Sequence, residues 1–353
     1  MNGWIILDKP HGLGSTQAVA AVKRVCRAAG LGKVKVGHGG TLDPLATGVL
    51  PIALGEATKL TGRMLDASKC YDFTIAFGVE TDGLDAEGAV VATSDVRPTW
   101  AEVAAVLPRF TGPIDQVPPV FSAIKVDGKR AYDRARAGEV VAMAGRTVTI
   151  HALSPLSFRG GAVRLGAAQP GPSRAGWGSS DLHNVDSPHP NPVPGEIAPG
   201  SFRSVRGTNR PDTPEGEGLF AITLSAHVSK GTYIRSLARD IAHAVGTVGH
   251  VTMLRRTRAG PFTLDQAISL DKLNAFGHVA QHSDVFLPLE AGLADIPALT
   301  LSPEAAGAVR QGRVLTGVAT NDGLYWTHGG DGRPLALVQL LAGTLTVVRG
   351  FNL

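Results

Sequence analysis

The chain is poor in cysteine and in aromatic residues and has no long apolar run, and each shortage narrows what it does. Only two cysteines, Cys26 and Cys70, occur in 353 residues. That excludes a disulfide framework and a cysteine-rich zinc site, and it fits a reducing compartment. The eleven histidines fall in no His-Glu-x-x-His or comparable ligand spacing, so no metal is expected, and no cofactor motif is present either. The most apolar stretch, "LALVQLLAGTLTVV", is broken by Gln339 and by Ala342-Gly343, too short for a membrane span. "MNGWIILDKP" lacks the basic start and the length of a signal peptide, so the cytoplasm is the expected location.

Charge is present but mild: 34 Lys and Arg against 30 Asp and Glu, a net charge of +4. Its distribution is more informative than its sum. Lys9, Lys23, Arg24, Arg27, Lys33 and Lys35 precede Val36 with one acid, Asp8. Lys125, Lys129, Arg130, Arg134 and Arg136 form a second cluster, and Arg255, Arg256 and Arg258 in "LRRTR" a third. Three such clusters could line one groove and neutralise phosphates; each alone also fits a solvated helix face.

Periodicity gives a coarse plan. "STQAVAAVKRVCRAAG" reads as a helix capped by Ser15 and closed by Gly30, and "KVKVGH" as a strand leading into a glycine-rich loop. "VLPIALG", "YDFTIAFG", "AVVAT" and "LFAITLSAHV" read as strands, the last with Phe220, Ile222, Leu224, Ala226 and Val228 on one face. "TYIRSLARDIAHAVG" carries a helical stripe, Ile234, Leu237, Ile241 and Val245. Helices and strands mix without a steady βαβ rhythm, which points to an α+β fold around a largely antiparallel sheet. Nine prolines and seven glycines fall between Ala167 and Gly216, a composition that argues for disorder. That stretch separates "AVRL" from "LFAITL", so it reads as an insertion at a hairpin tip, either dispensable or an RNA-contacting arm using Arg203, Arg206 and Arg210. After "FLPLEAGLADIP" the helix "SPEAAGAVRQG" and the segments "RVLTGVA", "GLYWTH", "PLALVQLL" and "TLTVVRGF" form a small strand-rich unit. The expected domains are 1–290 and 291–353.

The loop "GHGGTLDPLATG", Gly37 to Gly48, presents one carboxylate, Asp43, among small residues. It is no Walker cradle, since no Gly-Lys-Ser/Thr follows. Glycines let backbone approach a neighbour, and an aspartate beside them can act as nucleophile or base; an Asp-Pro in such a loop is also an ordinary turn. With "GWIILDKPHG", "GHGGTLDPLATGVLPIALGEATK", "KCYDFTIAFGVETDGLDAEG", "PPVFSAIKVDGKRAYDRARAGE", "SKGTYIRSLARDI" and "LRRTRAGPF" taken together and in order, the chain resembles the TruB family of tRNA pseudouridine synthases. The matches cover nearly all of Gly3 to Phe262 outside the Pro/Gly-rich stretch. The last sixty or so residues, ending in "FNL", look like a small RNA-binding PUA-type domain, a weaker match.

The resemblance implies the pseudouridine synthase fold and isomerisation of uridine 55 in the tRNA T-loop, without a cofactor, by a monomer that recognises the T-arm. It implies that Asp43 is the essential carboxylate, Arg235 its pairing cation, and Tyr71 the tyrosine stacked on the target base. Tyr233 and Leu254 would complete the pocket, and Lys9 would lie near it. A base inside a folded loop reaches a buried carboxylate only if flipped out, and His38 matches the histidine assigned to the vacated place. Lys125, Lys129 and Arg130 correspond to the RNA-clasping segment, held through phosphates and hydroxyls. Two departures are visible: the long insertion, and "GLGSTQAV" in place of the usual "GxTS". Two other readings stay open at this point: an RNA chaperone that remodels tRNA, and modification of another RNA, such as ribosomal RNA in a guide-RNA complex.

Overall fold

Alternating apolar residues build the sheet, and the same alternation gives it two buried faces. The computed structural model describes residues 1–122, 124–126, 128–156, 218–276 and 285–353. The chain begins with strand β1 (Gly3–Lys9), helix α1 (Ser15–Ala28), β2 (Val36–His38), β3 (Thr47–Leu54), α2 (Thr61–Asp66) and β4 (Lys69–Phe77). A ribbon of β5 (Val79–Thr81) and β6 (Val90–Thr93) follows, then α3 (Trp100–Val106) and β7 (Gly112–Gln116). The second basic cluster forms β8 (Lys125–Val126), β9 (Lys129–Arg130) and α4 (Ala131–Arg136). Next come β10 (Arg146–Pro155), β11 (Ala221–Val228), α5 (Ile234–Ala244), β12 (Gly249–Ala259), β13 (Phe262–Thr263), α6 (Leu270–Phe276) and β14 (Leu287–Pro288). The C-terminal part holds β15 (Ala298–Thr300), α7 (Pro303–Arg310), β16 (Gly323–His328), β17 (Pro334–Leu341) and β18 (Thr344–Gly350).

The large sheet runs β14-β1-β3-β12-β4-β11-β10-β7, with β2 added beside β3 and β13 beside β12. Its pairs are antiparallel except β3 with β12, which run parallel over Thr47↔Arg255 and Gly48↔Arg256. The expected α+β architecture with a largely antiparallel sheet is therefore the one adopted. Strands β15-β16-β17-β18 form a separate C-terminal sheet. Among the described residues no helix is long and apolar enough to cross a membrane.

In β1, Ile5 and Leu7 face one core, together with Phe73, Ile75, Ile222, Leu224 and the buried side of α5. Trp4 and Ile6, one residue out of phase, face a second core with Val49, Ala53, Leu289, Leu293, Leu337 and Phe351. A strand buried on both faces has to be apolar throughout, and "GWIIL" is. The second core joins the first strand to the C-terminal sheet. Within the expected boundary at 290, Leu289 and Leu293 are buried against Trp4, whose indole Nε1 donates to the Leu289 carbonyl at 3.1 Å.

Four local expectations change. Ser15 does not cap α1: Gly14 holds that position, and the Ser15 hydroxyl is turned to the backbone of Leu42, donating to its carbonyl at 3.0 Å and accepting from its N–H at 2.8 Å. "KVKVGH" is extended only from Val36. "RVLTGVA" forms no strand, contributing a single bridge, Leu315 to Leu345. Phe220 leaves the buried row of β11 and is exposed beneath the Arg97 guanidinium, 5.3 Å from its ring centre. The Pro/Gly-rich insertion, the strand "AVRL" and Arg203, Arg206 and Arg210 lie outside the described residues. The strands that flank them, β10 and β11, are antiparallel neighbours.

Candidate active site

Asp43 sits on a loop whose backbone is bound by buried cations, which is why the sequence there is so bare. Lys9 is fully buried, and its Nζ donates to the carbonyls of Pro10 (2.9 Å), Leu13 (2.7 Å) and Pro44 (3.1 Å). Arg256 is 1 % exposed; its Nε donates to the Val49 carbonyl at 2.8 Å, Nη1 to that of Thr41 at 3.2 Å and Nη2 to that of Gly40 at 3.4 Å. Three carbonyls of the loop, those of Gly40, Thr41 and Pro44, thus find charge-assisted donors that its own side chains need not supply. Gly48 allows the close parallel approach of β3 to β12: its φ is +98°, and a Cβ there would run into the Arg256 carbonyl. Arg256 is therefore no phosphate ligand, contrary to the reading of its cluster as groove-lining. Arg255 of the same cluster takes both oxygens of Asp8, at 3.0 and 2.8 Å.

Opposite the loop, the first turn of α5 delivers Arg235, whose side chain is 5 % exposed against 36 % for Asp43. Its Nη2 lies 2.8 Å from Asp43 Oδ2 and donates to the Phe121 carbonyl at 2.9 Å. Its Nη1 donates to Asp85 Oδ2 at 2.9 Å and to the Gly83 carbonyl at 2.7 Å. A guanidinium presents its donors in a rigid fork, so four acceptors fix it from two sides. Asp85, buried in the turn between β5 and β6, was not among the candidates read from the sequence. Inside "TDGLDAEG" it looks like one more polar turn residue.

Asp43, Asp85 and Arg235 line a cavity of about 490 Å³, with Phe121, Tyr132, Arg130 and Arg136 also in its wall. The Arg130 and Arg136 guanidinium carbons each lie 5.8 Å from the centre of the Tyr132 ring, a cationic frame around an aromatic face. Arg130 and Arg136 of the second basic cluster thus join the site, and Tyr132, not singled out by the sequence, joins with them. Lys129 is exposed on β9, and Lys125 pairs with Arg130 across the ribbon.

The remaining candidates lie outside that lining. Leu254 pairs with Phe73 and belongs to the main apolar core, against which Tyr71 also packs. Leu42 and Leu45, on either side of Asp43, belong to that same core and also line the cavity. Tyr233 precedes α5; Gln116 clasps its backbone from both sides, at 2.7 and 3.0 Å, and the Arg146 guanidinium lies 5.0 Å from its ring centre. His38, on β2, is half-buried with Nδ1 unpartnered; burial, with the Arg256 charge, pushes its pKa down and favours the neutral ring. Burial likewise lowers the Lys9 ammonium to about 8, against the pull of Asp43.

Comparisons with known proteins bear on the same segments. The model of the N-terminal domain of TruB family pseudouridylate synthases matches residues 27–168, and that of the tRNA pseudouridylate synthase B C-terminal domain matches 235–294. A tRNA pseudouridine synthase B from Novosphingobium aromaticivorans is 58 % identical over 353 residues, covering 100 % of this chain and 98 % of that protein. Its namesake from Zymomonas mobilis is 48 % identical, covering 100 % and 96 %. Among solved structures, a chain of an H/ACA RNP bound to a substrate RNA containing 2'-deoxyuridine superposes with a TM-score of 0.63 at 21 % identity, covering 99 % of this chain and 85 % of that one. A chain of a Cbf5-Nop10-Gar1 complex gives 0.61 at 23 %, covering 99 % and 84 %. At these identities the structural likeness speaks for the fold, and the fold is that of the pseudouridine synthases. The sequence likeness runs end to end, and the two family models fall on the segments that bring Asp43 and Arg235 together: this chain belongs to the TruB family of pseudouridylate synthases.

Proposed function

We propose that the chain converts uridine 55 in the T-loop of tRNA to pseudouridine. The reaction breaks the N1–C1′ bond, turns the base, joins C5 to C1′, removes the proton from C5 and leaves one on N1. Atoms and oxidation state balance without a second substrate, so the chemistry asks for a nucleophile, a proton acceptor and a shaped cavity. The observation that supports this most directly is the 2.8 Å approach of Arg235 to Asp43 at the cavity wall. The guanidinium orients the carboxylate at the cavity wall, where its oxygen can attack the sugar or assist loss of the base.

The other roles follow the same reading. Tyr71 stacks on the flipped base and helps take the C5 proton; Leu254 and Tyr233 shape the pocket, and His38 fills the place the base leaves. Flipping costs about a few kcal/mol of stacking, recovered through contacts in the pocket and along the backbone. Lys125, Lys129 and Arg130, with Tyr132 and Arg136, hold the RNA from the ribbon side. Residues 291–353 form a PUA-like RNA-binding unit beside the catalytic 1–290, and the protein works as a cytoplasmic monomer on the T-arm.

The experiment is incubation of the purified protein with an unmodified T-arm stem-loop, followed by carbodiimide mapping of pseudouridine. A single modified position in the loop, lost in Asp43→Asn, is the expected result. Tight binding without product would move the function to RNA remodelling or to a different RNA.

A further inference from the structure

Five cations in the acid-free stretch that leads into the cavity have no part in its lining. Between Asp8 and Asp43 there is no carboxylate, yet Lys23, Arg24, Arg27, Lys33 and Lys35 all fall there. All five are exposed, and among the described residues none lies within ion-pair distance of an acid. A face of like charge repels itself, so an uncompensated one fits a polyanionic partner.

Helix α1 decides where these charges stand. It buries Ala18, Ala21, Val22, Val25 and Cys26, which leaves Gln17, Ala20, Lys23, Arg24 and Arg27 on one outward stripe at helical spacing. Ser15, its first residue, lines the cavity beside Asp43. With a rise of 1.5 Å per residue, the cations therefore stand roughly 12 to 18 Å along the helix from the cavity rim. Beyond α1 the exposed Lys33 and Lys35 carry the charge on to the far end of β3, where the Lys35 carbonyl accepts from Gly55 N–H at 2.8 Å. The C-terminal unit meets the chain at that point: Glu56 accepts from Asn352 N–H at 2.8 Å, and Lys59 donates to the Gly350 carbonyl at 2.9 Å. Exposed Arg349 adjoins it.

We propose that the outward face of α1, continued by Lys33 and Lys35, is a phosphate-binding rail for the double-stranded stem of the RNA whose loop enters the cavity. The rail rests on the RNA-substrate reading above and adds a second contact surface to it. Its spacing suits repeating phosphates, since Lys23, Arg24 and Arg27 span about 6 Å, little more than one helical turn, with no acid among them. A membrane surface fits less well, because the stripe offers Gln17 and Ala20 where an interfacial helix would present aromatic or large apolar residues.

The test uses the full chain with Lys23, Arg24 and Arg27 changed together to Gln, which keeps helix propensity and removes three charges. Binding is measured against complete unmodified tRNA and against a hairpin of the same loop on about two or three base pairs, too short to reach the second turn of α1. For complete tRNA the slope of log affinity on log salt should flatten by about 2 to 3, with a roughly ten- to hundredfold loss at 0.15 M salt. The short hairpin should bind both proteins alike. Lys33→Gln with Lys35→Gln should act in the same direction with a smaller slope change. Unchanged affinity and slope for complete tRNA in both variants would overturn the rail. Pseudouridine formation by the unaltered protein is scored separately by chemical mapping. Rail-dependent binding without product keeps the rail and sinks the substrate reading, whereas product with rail-independent binding does the reverse.

Discussion

Arg235 holds Asp43 and Asp85 with one guanidinium, Nη2 at 2.8 Å from the first carboxylate and Nη1 at 2.9 Å from the second. Asp43 is exposed enough to meet a substrate, while Asp85, at the same cavity wall, is buried. The more exposed carboxylate is therefore positioned by a cation that is itself anchored from behind.

Asp43→Asn keeps the shape of the side chain and an oxygen for Nη2 while removing the proposed nucleophile. Turnover on a T-arm substrate should fall by on the order of a thousandfold or more, with the dissociation constant for tRNA within severalfold. Substantial residual turnover in a preparation free of other synthases would sink the assignment.

Arg235→Lys tests the fork. A single ammonium cannot serve the Gly83 and Phe121 carbonyls and two carboxylates together, so turnover should drop sharply even though the charge is kept. Arg235→Gln goes further and leaves Asp85 buried without its cation, which should cost about 3–5 kcal/mol in denaturant unfolding. If Arg235→Gln unfolded like the parent, the Glu87 N–H, which donates to Asp85 Oδ1 at 3.1 Å, would suffice to hold the buried carboxylate.

Gly48→Ala asks whether the bare loop is bare for steric reasons. With φ at +98° and the Arg256 carbonyl in the way, the new Cβ should push β3 from β12. Strain of this kind costs about 1–3 kcal/mol. Thermal stability and turnover should fall together; a variant with parental melting and activity would show that the seam has slack.

Lys9 gives a pH prediction in which activity and stability part. Its folded pKa is lowered to about 8 by burial, and Lys69 is lowered to about 8 for the same first reason. Between about pH 8 and 10.5 the unfolded chain binds protons that the folded chain has released, so these two groups make stability rise with pH across that window. Turnover should decline over the same window, because a neutral Lys9 amine has too few N–H groups for three carbonyls and withdraws a cation from Asp43. Rates that stay level from pH 8 to 10, at saturating RNA, would remove Lys9 from the positioning of the loop.

Much of the fold was legible because it rests on local pattern: the period of two in β4 and β11, and the stripe of α5. The pairing of Asp43 with Arg235 came from the likeness of whole motifs, since neither residue is distinctive alone. Burial of long cations was not legible. Arg256 reads as a surface charge beside Arg255 and Arg258, and only the fold shows its guanidinium turned inward to backbone carbonyls. Ser15 was misread for a related reason: a hydroxyl before a helix suits a cap, but here the Leu42 backbone competes for it. Asp85 was hidden by its surroundings, a turn already rich in acids whose other members face water.

The two-residue parallel seam of β3 with β12 also bears on how the molecule comes to be active. Through it Arg256 reaches back 207 positions to the Val49 carbonyl, so the loop bearing Asp43 is completed by a strand made long after it. Contacts of such high sequence separation close late, after local helices and hairpins have formed. On a ribosome the elements up to β10 can fold their own pieces, yet the carboxylate stays without its cation until α5 and β12 have emerged. Catalytic competence should therefore be the last property gained in refolding, lagging behind the recovery of helical and strand signal.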